Sequence, residues 1–195
     1  RRGPDKSDTK VYDNRFLGHN RFKIIDLSDL GSQPMETDKY SIAFNGEIYN
    51  YQILKKELIE KNITFISTSD TEVLLKYFDH FGIDETLKKI NGMFAICLYD
   101  KIESKLYLIR DRLGIKPLYY YHDTNNGKLY FASNLKSIFY SIYQIYNESW
   151  NINYESIYKF LLLGGCWEGE TIVKNIFKLE SASYLEVDNN INIKK

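Results

Sequence analysis

The stretch Met93-Phe94-Ala95-Ile96-Cys97-Leu98-Tyr99 is an unbroken apolar run, and it begins the part of the chain that decides the fold. Further strand candidates follow it, and the connectors Asp100–Ser104 and Asp123–Gly127 are short and polar. Such connectors are typical of antiparallel hairpins. The sequence therefore predicts four antiparallel strands, at Met93–Tyr99, Lys105–Ile109, Pro117–Tyr121 and Lys128–Ala132.

The residues before this region predict short strands and two helices. The strands lie at Val11–Tyr12 and Phe16–Leu27 around the turn pair Asp13-Asn14, at Tyr40–Phe44, which Asn45-Gly46 ends, and at Thr64–Ile66. The first helix covers 50–61, with Asn50 as its N-cap. The second begins at Ser69-Asp70-Thr71-Glu72, which has capping-box spacing, and ends at Gly82.

The residues after this region predict helices at about 135–143 and 154–163, then strands near 172–177 and 183–188. Two helices between groups of antiparallel strands indicate a layered α+β fold rather than a doubly wound one. A chain of 195 residues has the size of one domain, and we assign 1–195 to it.

Composition argues against several classes of protein. Lys plus Arg and Asp plus Glu both number 26, so the net charge is zero. A neutral domain exerts no long-range electrostatic attraction on nucleic acid, so nucleic acid is not expected as a partner. The apolar runs are too short to span a bilayer, so no membrane partner is expected. The two cysteines, Cys97 and Cys166, are too few for a disulfide framework. We therefore expect a cytoplasmic location.

A series of short motifs, in order along the chain, resembles the class II glutamine amidotransferases, and within them the asparagine synthetase branch. The resemblance implies an αββα sandwich of two antiparallel sheets between helix layers, as in N-terminal-nucleophile hydrolases. It also implies hydrolysis of L-glutamine to glutamate and ammonia by an N-terminal cysteine. The motifs are Arg2–Asp5, Gly18–Leu27, Gln33–Met35, Asn45–Asn50, Ser69–Glu72, Gly92–Ala95, Arg110–Tyr119, Phe131–Ser133 and Thr171–Val173.

The family pattern assigns the two charged ends of glutamine to particular residues. Arg21 matches the arginine that binds the α-carboxylate, where a planar bidentate donor fits best. Backbone groups near Ile24 and Ile25 are expected to complete that side of the pocket. Glu47 and Asp70 match the acids that hold the α-amino group. Without the resemblance, Arg21 reads as a surface arginine and Asp70 as a residue that favours a helix N-terminus.

Asn45 and Gly46 match the oxyanion hole of the family, which the resemblance implies is catalytic. An amide side chain donates hydrogen bonds without titrating, and glycine allows close backbone approach. The competing interpretation is a type I′ hairpin turn, which Asn-Gly favours. The helical pattern that follows directly, in place of a second strand, argues against a simple hairpin.

No residue of the chain supplies the nucleophile or a metal site. Cys97 lies in an apolar strand and is expected to be inert, and neither it nor Cys166 can offer an N-terminal amino group as base. His19, His80 and His122 are scattered without ligand spacing, so no metal is expected.

The resemblance also sets expectations beyond residues 1–195. The chain lacks the Met-Cys-Gly start of the family, so we expect truncation before the cysteine and an inactive fragment. We expect no cofactor in this domain, and ATP and Mg²⁺ in a C-terminal synthetase domain of the same chain. A homodimer is left open. The sequence departs from the family pattern at Arg1, Asn134 and Glu180–Ala182.

Three functions agree with these observations. The first is the glutaminase half of an ATP-dependent asparagine synthetase that amidates aspartate. The second is an amidotransferase for another acceptor, such as a sugar acid in glycan biosynthesis. The third is a non-catalytic glutamine-binding or regulatory module. Retention of the polar pocket residues favours catalysis.

Overall fold

The computed structural model describes residues 3–146, 151–165 and 169–195. Within these ranges the chain forms eleven strands and four α-helices. In chain order they are β1 (Lys6–Tyr12), β2 (Arg15–Arg21), β3 (Met35–Glu36), β4 (Tyr40–Ile48), α1 (Tyr51–Ile59), α2 (Asp70–Lys89), β5 (Gly92–Asp100), β6 (Lys105–Arg110), β7 (Tyr119–Asp123), β8 (Lys128–Ala132), α3 (Leu135–Tyr146), α4 (Tyr154–Leu163), β9 (Ile176–Lys178), β10 (Tyr184–Val187) and β11 (Ile193–Lys194).

The strands form three antiparallel sheets. The largest has the order β11-β10-β6-β5-β4-β3, the second has the order β8-β7-β9, and β1 pairs with β2 alone. Strands β4 and β5 make the longest pairing of the large sheet, in register from Tyr40 opposite Asp100 to Ile48 opposite Gly92. The four strands predicted from residue 93 onward are confirmed, with ends that differ by up to two residues.

Alternation along the large sheet divides its side chains between two cores. Ile42, Phe44 and Ile48 of β4 pack with α1 and α2 on one face. Ala43 of β4 and Cys97 of β5 lie on the opposite face, where they pack against residues of β2, β7 and β8. Successive side chains of a strand point to opposite faces, so the large sheet is covered on both sides.

A third core adds the last layer. Ile138 and Ile142 of α3 pack on Ile176 of β9 and on tyrosines of β7 and β8. The layers are therefore α1 with α2, the large sheet, the smaller sheets, and α3. This order confirms the predicted αββα sandwich. The β1–β2 hairpin is a third sheet, in addition to the two that were predicted.

The predicted end of a strand at Asn45-Gly46 is wrong. β4 continues through both residues to Ile48, because β5 supplies a pairing partner for every residue up to that point. The turn interpretation of Asn45-Gly46 is thereby excluded. The strand predicted over Phe16–Leu27 is also shorter than expected, since β2 ends at Arg21.

One of the two predicted helix caps is confirmed. Asn50 precedes α1 but makes no side-chain cap; it bonds instead to the Lys89 carbonyl and the Asn91 N–H at the end of α2. Ser69 does cap α2, accepting from the Glu72 N–H at 3.2 Å. At Gly82, α2 has a non-helical residue with φ of 78°, so the predicted stop is a break between two helical segments.

Two further expectations concern short segments. No strand forms at Thr64–Ile66, where the backbone instead approaches the Glu72 carboxylate. The strand expected near 172–177 is the shorter β9, and that near 183–188 is β10. Among the described residues, no helix is long and apolar enough to cross a membrane.

The loop after β6 is built around Asp111. Its buried carboxylate accepts hydrogen bonds from the N–H groups of Phe94 (3.1 Å), Leu113 (3.1 Å), Ile115 (2.9 Å) and Lys116 (3.0 Å). Burial alone raises the pKa of this carboxyl, but the four N–H donors outweigh it and lower the pKa. The neighbouring Arg110 donates to the carbonyls of Lys116, Leu179 and Gly114. This part of the Arg110–Tyr119 motif is therefore architectural.

We predict that Asp111→Asn destabilises the fold by about 2–3 kcal/mol, because an amide nitrogen cannot accept the bonds that the charged oxygen accepts. A pKa lowered by folding stabilises at pH values above the unfolded pKa, and that stabilisation is lost as the pH falls through the folded pKa. The difference from wild type should therefore shrink below about pH 4. Urea unfolding at several pH values measures it. Asp38→Asn, at an exposed aspartate, is the control and should change stability by less than about 0.5 kcal/mol.

Candidate functional site

All seven predicted site residues line one cleft of about 870 Å³ between the large sheet and the β1–β2 hairpin. They come from three separate parts of the chain: β2 with the loop after it, β4, and the start of α2. The predicted residues that line the cleft are Arg21, Ile24, Ile25, Asn45, Gly46, Glu47 and Asp70.

One edge of β4 opens into this cleft. β3 pairs only with Ser41 and Ile42, so β4 has no neighbouring strand on that side beyond them. On the other side, the Tyr49 N–H bonds to the Asn91 carbonyl at 2.8 Å, toward β5. In an antiparallel pair, successive N–H groups alternate between the two edges of a strand. The N–H groups of the even-numbered residues of β4 therefore point to the open edge.

Side chains satisfy two of these edge N–H groups. The Phe44 N–H donates to Gln33 Oε1 at 2.6 Å, and the Ile48 N–H donates to Asp70 Oδ2 at 3.0 Å. Gly46 lies between them, and the same alternation directs its N–H to the open edge. Its pairing partner, Phe94, uses its own N–H and carbonyl to bond Asp111 instead. The open edge of β4 thus presents the Gly46 N–H to the cleft, between the bonded N–H groups of Phe44 and Ile48.

Glycine is required at position 46 by the approach of β5. A Cβ built there would overlap the Met93 carbonyl oxygen and crowd the Phe94 Cα. Both contacts are with backbone, which cannot move aside as a flexible side chain can. The close approach of the two strands therefore fixes the position of the Gly46 N–H.

Asn45 and Glu47 lie on the face of β4 opposite to the helices. Their neighbours by alternation, Phe44 and Ile48, are buried in the core beneath α1 and α2. Asn45 and Glu47 are half-buried and line the cleft. Strand parity therefore places an amide donor and a carboxylate on the same side, two residues apart.

Arg21 ends β2 with its guanidinium buried and held by backbone. Nη1 donates to the Ser28 carbonyl and Nη2 donates to the Asp26 carbonyl, both at 2.6 Å. The side chain is 6% exposed, too buried for the alternative of a surface arginine. A guanidinium carries five N–H donors, so two such bonds leave others for a ligand.

Asp70 is the first residue of α2, and its buried side chain lines the same cleft as Arg21. Burial raises the pKa of the Asp70 carboxyl, and the nearby charge of Glu47 adds to the effect, while the Ile48 N–H opposes it. Two carboxyl groups close together favour a cation between them, because each is destabilised by the other's charge. The helix-start role and a binding role are compatible here.

The family model described as "Glutamine amidotransferase domain" matches residues 1–195. The chain belongs to this glutamine amidotransferase family. It is 39% identical to asparagine synthetase (glutamine-hydrolysing) 1 of Bacillus subtilis over 95% of the chain, which spans 28% of that relative. It is 43% identical to asparagine synthetase B (glutamine-hydrolysing) of Escherichia coli over 70% of the chain, and that alignment spans 24% of the relative. The chain thus spans about a quarter of the length of these two relatives.

A solved structure supports the fold. The glutamine phosphoribosylpyrophosphate amidotransferase of B. subtilis superimposes with a TM-score of 0.60, covering 92% of this chain and 34% of the other. Identity is 19%, so this likeness concerns the fold alone. This amidotransferase domain and the solved structure therefore share a fold over most of the present chain.

Three cleft residues of this amidotransferase domain were not predicted as site residues. Gln33 bonds the Phe44 N–H and, through Nε2, the Thr71 hydroxyl at 3.1 Å. The His19 Nδ1 is buried without a partner among the described residues, and burial lowers the pKa of this imidazole, which favours its neutral form. Asp26 accepts bonds from two different loops. All three residues lie within the motifs given above, but only the folded chain shows their surroundings.

Of the two cysteines, the structure describes Cys97, which is buried, as its apolar strand predicts. Cys97 is buried at the floor of the cleft, and burial raises the pKa of its thiol far above its usual range, so the thiolate is disfavoured. Cys166 lies outside the described residues. Within the described ranges, no group of three or more His, Cys, Asp or Glu side chains is placed to hold a metal ion.

We predict that Gly46→Ala destabilises the domain by about 1–3 kcal/mol, because its Cβ would overlap the backbone of β5. Gly165→Ala is a matched control, since a Cβ there meets nothing within 4 Å. It should change the free energy of unfolding by less than about 0.5 kcal/mol. Urea unfolding of the two variants compares them, and equal stabilities would contradict the assigned contact.

Proposed function

We propose that this domain hydrolyses L-glutamine to glutamate and ammonia, as the glutaminase half of a longer glutamine-dependent asparagine synthetase. One observation supports the proposal above others. A single cleft gathers a buried cation, two carboxylates and neutral donors, from Arg21, Glu47, Asp70, Asn45 and Gly46. Free glutamine needs each of these, because it carries an α-carboxylate, an α-ammonium and a side-chain amide.

The α-carboxylate is assigned to Arg21. Its guanidinium is held by two backbone carbonyls, so it is pre-oriented before substrate arrives. A fixed planar fork binds a carboxylate with less loss of side-chain entropy than a mobile lysine would. The backbone near Ile24 and Ile25, in the loop that begins after Arg21, is proposed to complete this end.

The α-ammonium is assigned to Asp70 and Glu47. Bringing an ammonium between two carboxylates relieves the repulsion that raises the Asp70 pKa. The same arrangement selects against substrates without a positive charge, because the two carboxylates would then lack a cation to offset their repulsion.

The amide oxygen is assigned to Asn45 and the Gly46 N–H. When a thiolate attacks the amide carbon, negative charge develops on this oxygen, and donors already in place stabilise it without reorganising. The adjacent edge groups of Phe44 and Ile48 are bonded to side chains, which leaves Gly46 as the edge donor for this purpose. Removing one donor of this kind costs roughly 100- to 1,000-fold in rate.

We assign the nucleophile to a cysteine at the mature N-terminus, in a segment that precedes residue 1. Its thiol would attack the amide carbon, its α-amino group would take the thiol proton and pass it to the leaving nitrogen, and ammonia would depart. Water would then cleave the thioester to give glutamate and regenerate the thiol. In this proposal the longer chain carries a synthetase domain, where ATP and Mg²⁺ would activate aspartate.

A related proposal differs only in the acceptor. The cleft binds glutamine in either case, so the acceptor depends on residues outside 1–195. A non-catalytic module is less well supported, because such a module has no need of the Gly46 N–H as a donor between the bonded N–H groups of Phe44 and Ile48. Covalent labelling separates catalysis from simple binding.

The test of catalysis is the intact mass of the full-length protein before and after the glutamine-analogue electrophile diazo-oxo-norleucine. We expect one adduct, located by peptide mapping on the N-terminal cysteine. The Cys97 peptide is the internal control and should stay unmodified, because its thiol is buried and protonated. The absence of an adduct, together with no glutamate release from glutamine, would leave the binding-module interpretation.

The test of the pocket is Asp70→Asn in the full-length protein. Loss of the charge should raise the KM for glutamine about 10- to 100-fold, the equivalent of one charge-assisted hydrogen bond. Synthesis supported by ammonia should be unchanged, since ammonia bypasses this cleft. Asp79→Asn, at an exposed aspartate of the same helix, is the control. An unchanged KM in Asp70→Asn would remove Asp70 from the site.

A further inference from the structure

Asp26 lines the cleft, and its carboxylate has no role in the chemistry proposed above. It belongs to the loop between β2 and β3, and its side chain is 5% exposed. We infer that Asp26 is a positioning residue, which fixes the spacing between the Arg21 guanidinium and the Asp70 carboxylate in the substrate pocket. This inference rests on the proposed glutaminase function.

One oxygen of Asp26 closes the turn that holds Arg21. Oδ1 accepts from the Ser28 N–H at 2.7 Å and from the Ser28 hydroxyl at 2.6 Å. The carbonyls of the same two residues, Asp26 and Ser28, receive the two bonds from the Arg21 guanidinium. The orientation of the guanidinium therefore depends on a turn that the Asp26 carboxylate holds closed.

Gly31 adds a steric limit on the same side. A Cβ at this position would overlap Arg21 Nη2 and approach the Asp26 Cβ. The loop thus packs directly against the guanidinium, and a change in the 26–28 turn cannot be absorbed by empty space there.

The other oxygen of Asp26 reaches the start of α2. Oδ2 accepts from the Thr68 N–H at 2.8 Å and from the Thr68 hydroxyl at 3.1 Å. Thr68 is followed by Ser69, the N-cap of α2, and then by Asp70. One carboxylate group therefore connects, through two short backbone segments, the residue assigned to the α-carboxylate of glutamine with a residue assigned to its α-ammonium.

The charge on Asp26 is retained throughout the working range of pH. The hydrogen bond from the Ser28 side chain is the largest cause that lowers the pKa of this carboxyl, with the Thr68 donors contributing, and the pKa is about 2. A lowered folded pKa contributes stability above about pH 4 that is lost only as the pH falls toward 2. The link between the two loops is thus a fixed connection at neutral pH.

The need for such a connection follows from the substrate. The carboxylate and ammonium of glutamine are bound to the same carbon, so their separation is fixed and the pocket must match it. A displacement of about 1 Å in a binding group can cost about 100-fold in rate. Since Arg21 and Asp70 stand on separate segments, a bridge between them serves binding of both ends at once.

The test compares Asp26→Asn with Asp29→Asn in the full-length protein. An asparagine at position 26 keeps the shape but replaces one acceptor by a donor, so a bond to Ser28 or Thr68 is lost. We expect the KM for glutamine to rise about 10- to 100-fold, with ammonia-supported synthesis unchanged. Asp29, in the same loop but with a largely exposed side chain, should give wild-type values.

A selectivity measurement distinguishes positioning from general loss of structure. Glutaramate lacks the α-amino group of glutamine and so makes no contact at the Asp70 end. If Asp26 sets the spacing between the ends, Asp26→Asn should lower the preference for L-glutamine over glutaramate by about 10-fold or more. A domain that is merely less stable would lose both substrates in proportion.

Thr68 provides a second route if Asp26→Asn does not fold. Thr68→Val removes the hydroxyl that bonds Asp26 Oδ2, and Thr68→Ser keeps it. The valine variant should raise the KM for glutamine by several-fold and the serine variant should restore it, as one neutral-to-charged hydrogen bond predicts. Wild-type values for both would overturn the inference, as would an Asp26→Asn enzyme equal to Asp29→Asn in both KM and selectivity.

Measurements on the wild-type enzyme distinguish failure of the proposed glutaminase function from failure of the positioning role of Asp26. If it releases glutamate from glutamine and takes one diazo-oxo-norleucine adduct, the proposed function stands and the variants decide the role of Asp26. If it does neither, the proposed function fails, and the positioning role falls with it.

Discussion

From residue 43 onward, strand β4 has a hydrogen-bonded neighbouring strand on one side only, because β3 pairs with Ser41 and Ile42 and with no later residue of β4. A strand edge of this kind carries unpaired N–H groups that must find other partners. The molecule meets this need with the side chains of Gln33 and Asp70, which bond the N–H groups on either side of Gly46. The cleft is the space that this edge leaves open.

The same bonds that satisfy the edge also orient the site. The Asp70 carboxylate accepts a hydrogen bond from the Ile48 N–H, which holds it against β4, and Asp70 is also the first residue of α2. Gln33 is bonded at both ends of its amide, to β4 and to Thr71 of α2. Polar groups that are fully bonded in a buried environment hold their geometry, whereas partly bonded ones do not. Structural need and site geometry are therefore met by the same contacts.

Strand and helix positions were predictable because they depend on local pattern. The apolar run Met93–Tyr99 and the capping residue Ser69 are each read from neighbours within a few positions. The strand end assigned to Asn45-Gly46 failed for the opposite reason: Asn-Gly favours a turn locally, but pairing with β5 continues the strand through it. Tertiary pairing overrides a turn preference of this size.

The candidate residues were predictable by type but their arrangement was not. Arg21, Asn45 and Asp70 follow from matching motifs, yet nothing in the sequence indicates that Asp26 bonds Thr68, 42 residues away. Such contacts depend on which loops the layered fold brings together. For the same reason, a motif alone does not tell chemistry from architecture.

The Arg110–Tyr119 motif illustrates that distinction. Asp111 bonds four backbone N–H groups, including that of Phe94, and Arg112 donates to the Ile90 carbonyl at 2.7 Å and to carbonyls at the end of α2. The N–H and carbonyl of Phe94 face away from β4, as the antiparallel alternation requires, and bond to Asp111, so Gly46 is not paired to Phe94 by hydrogen bonds. The motif therefore supports the site from the far side of β5, because it satisfies the backbone groups of Phe94 that the strand register directs away from Gly46.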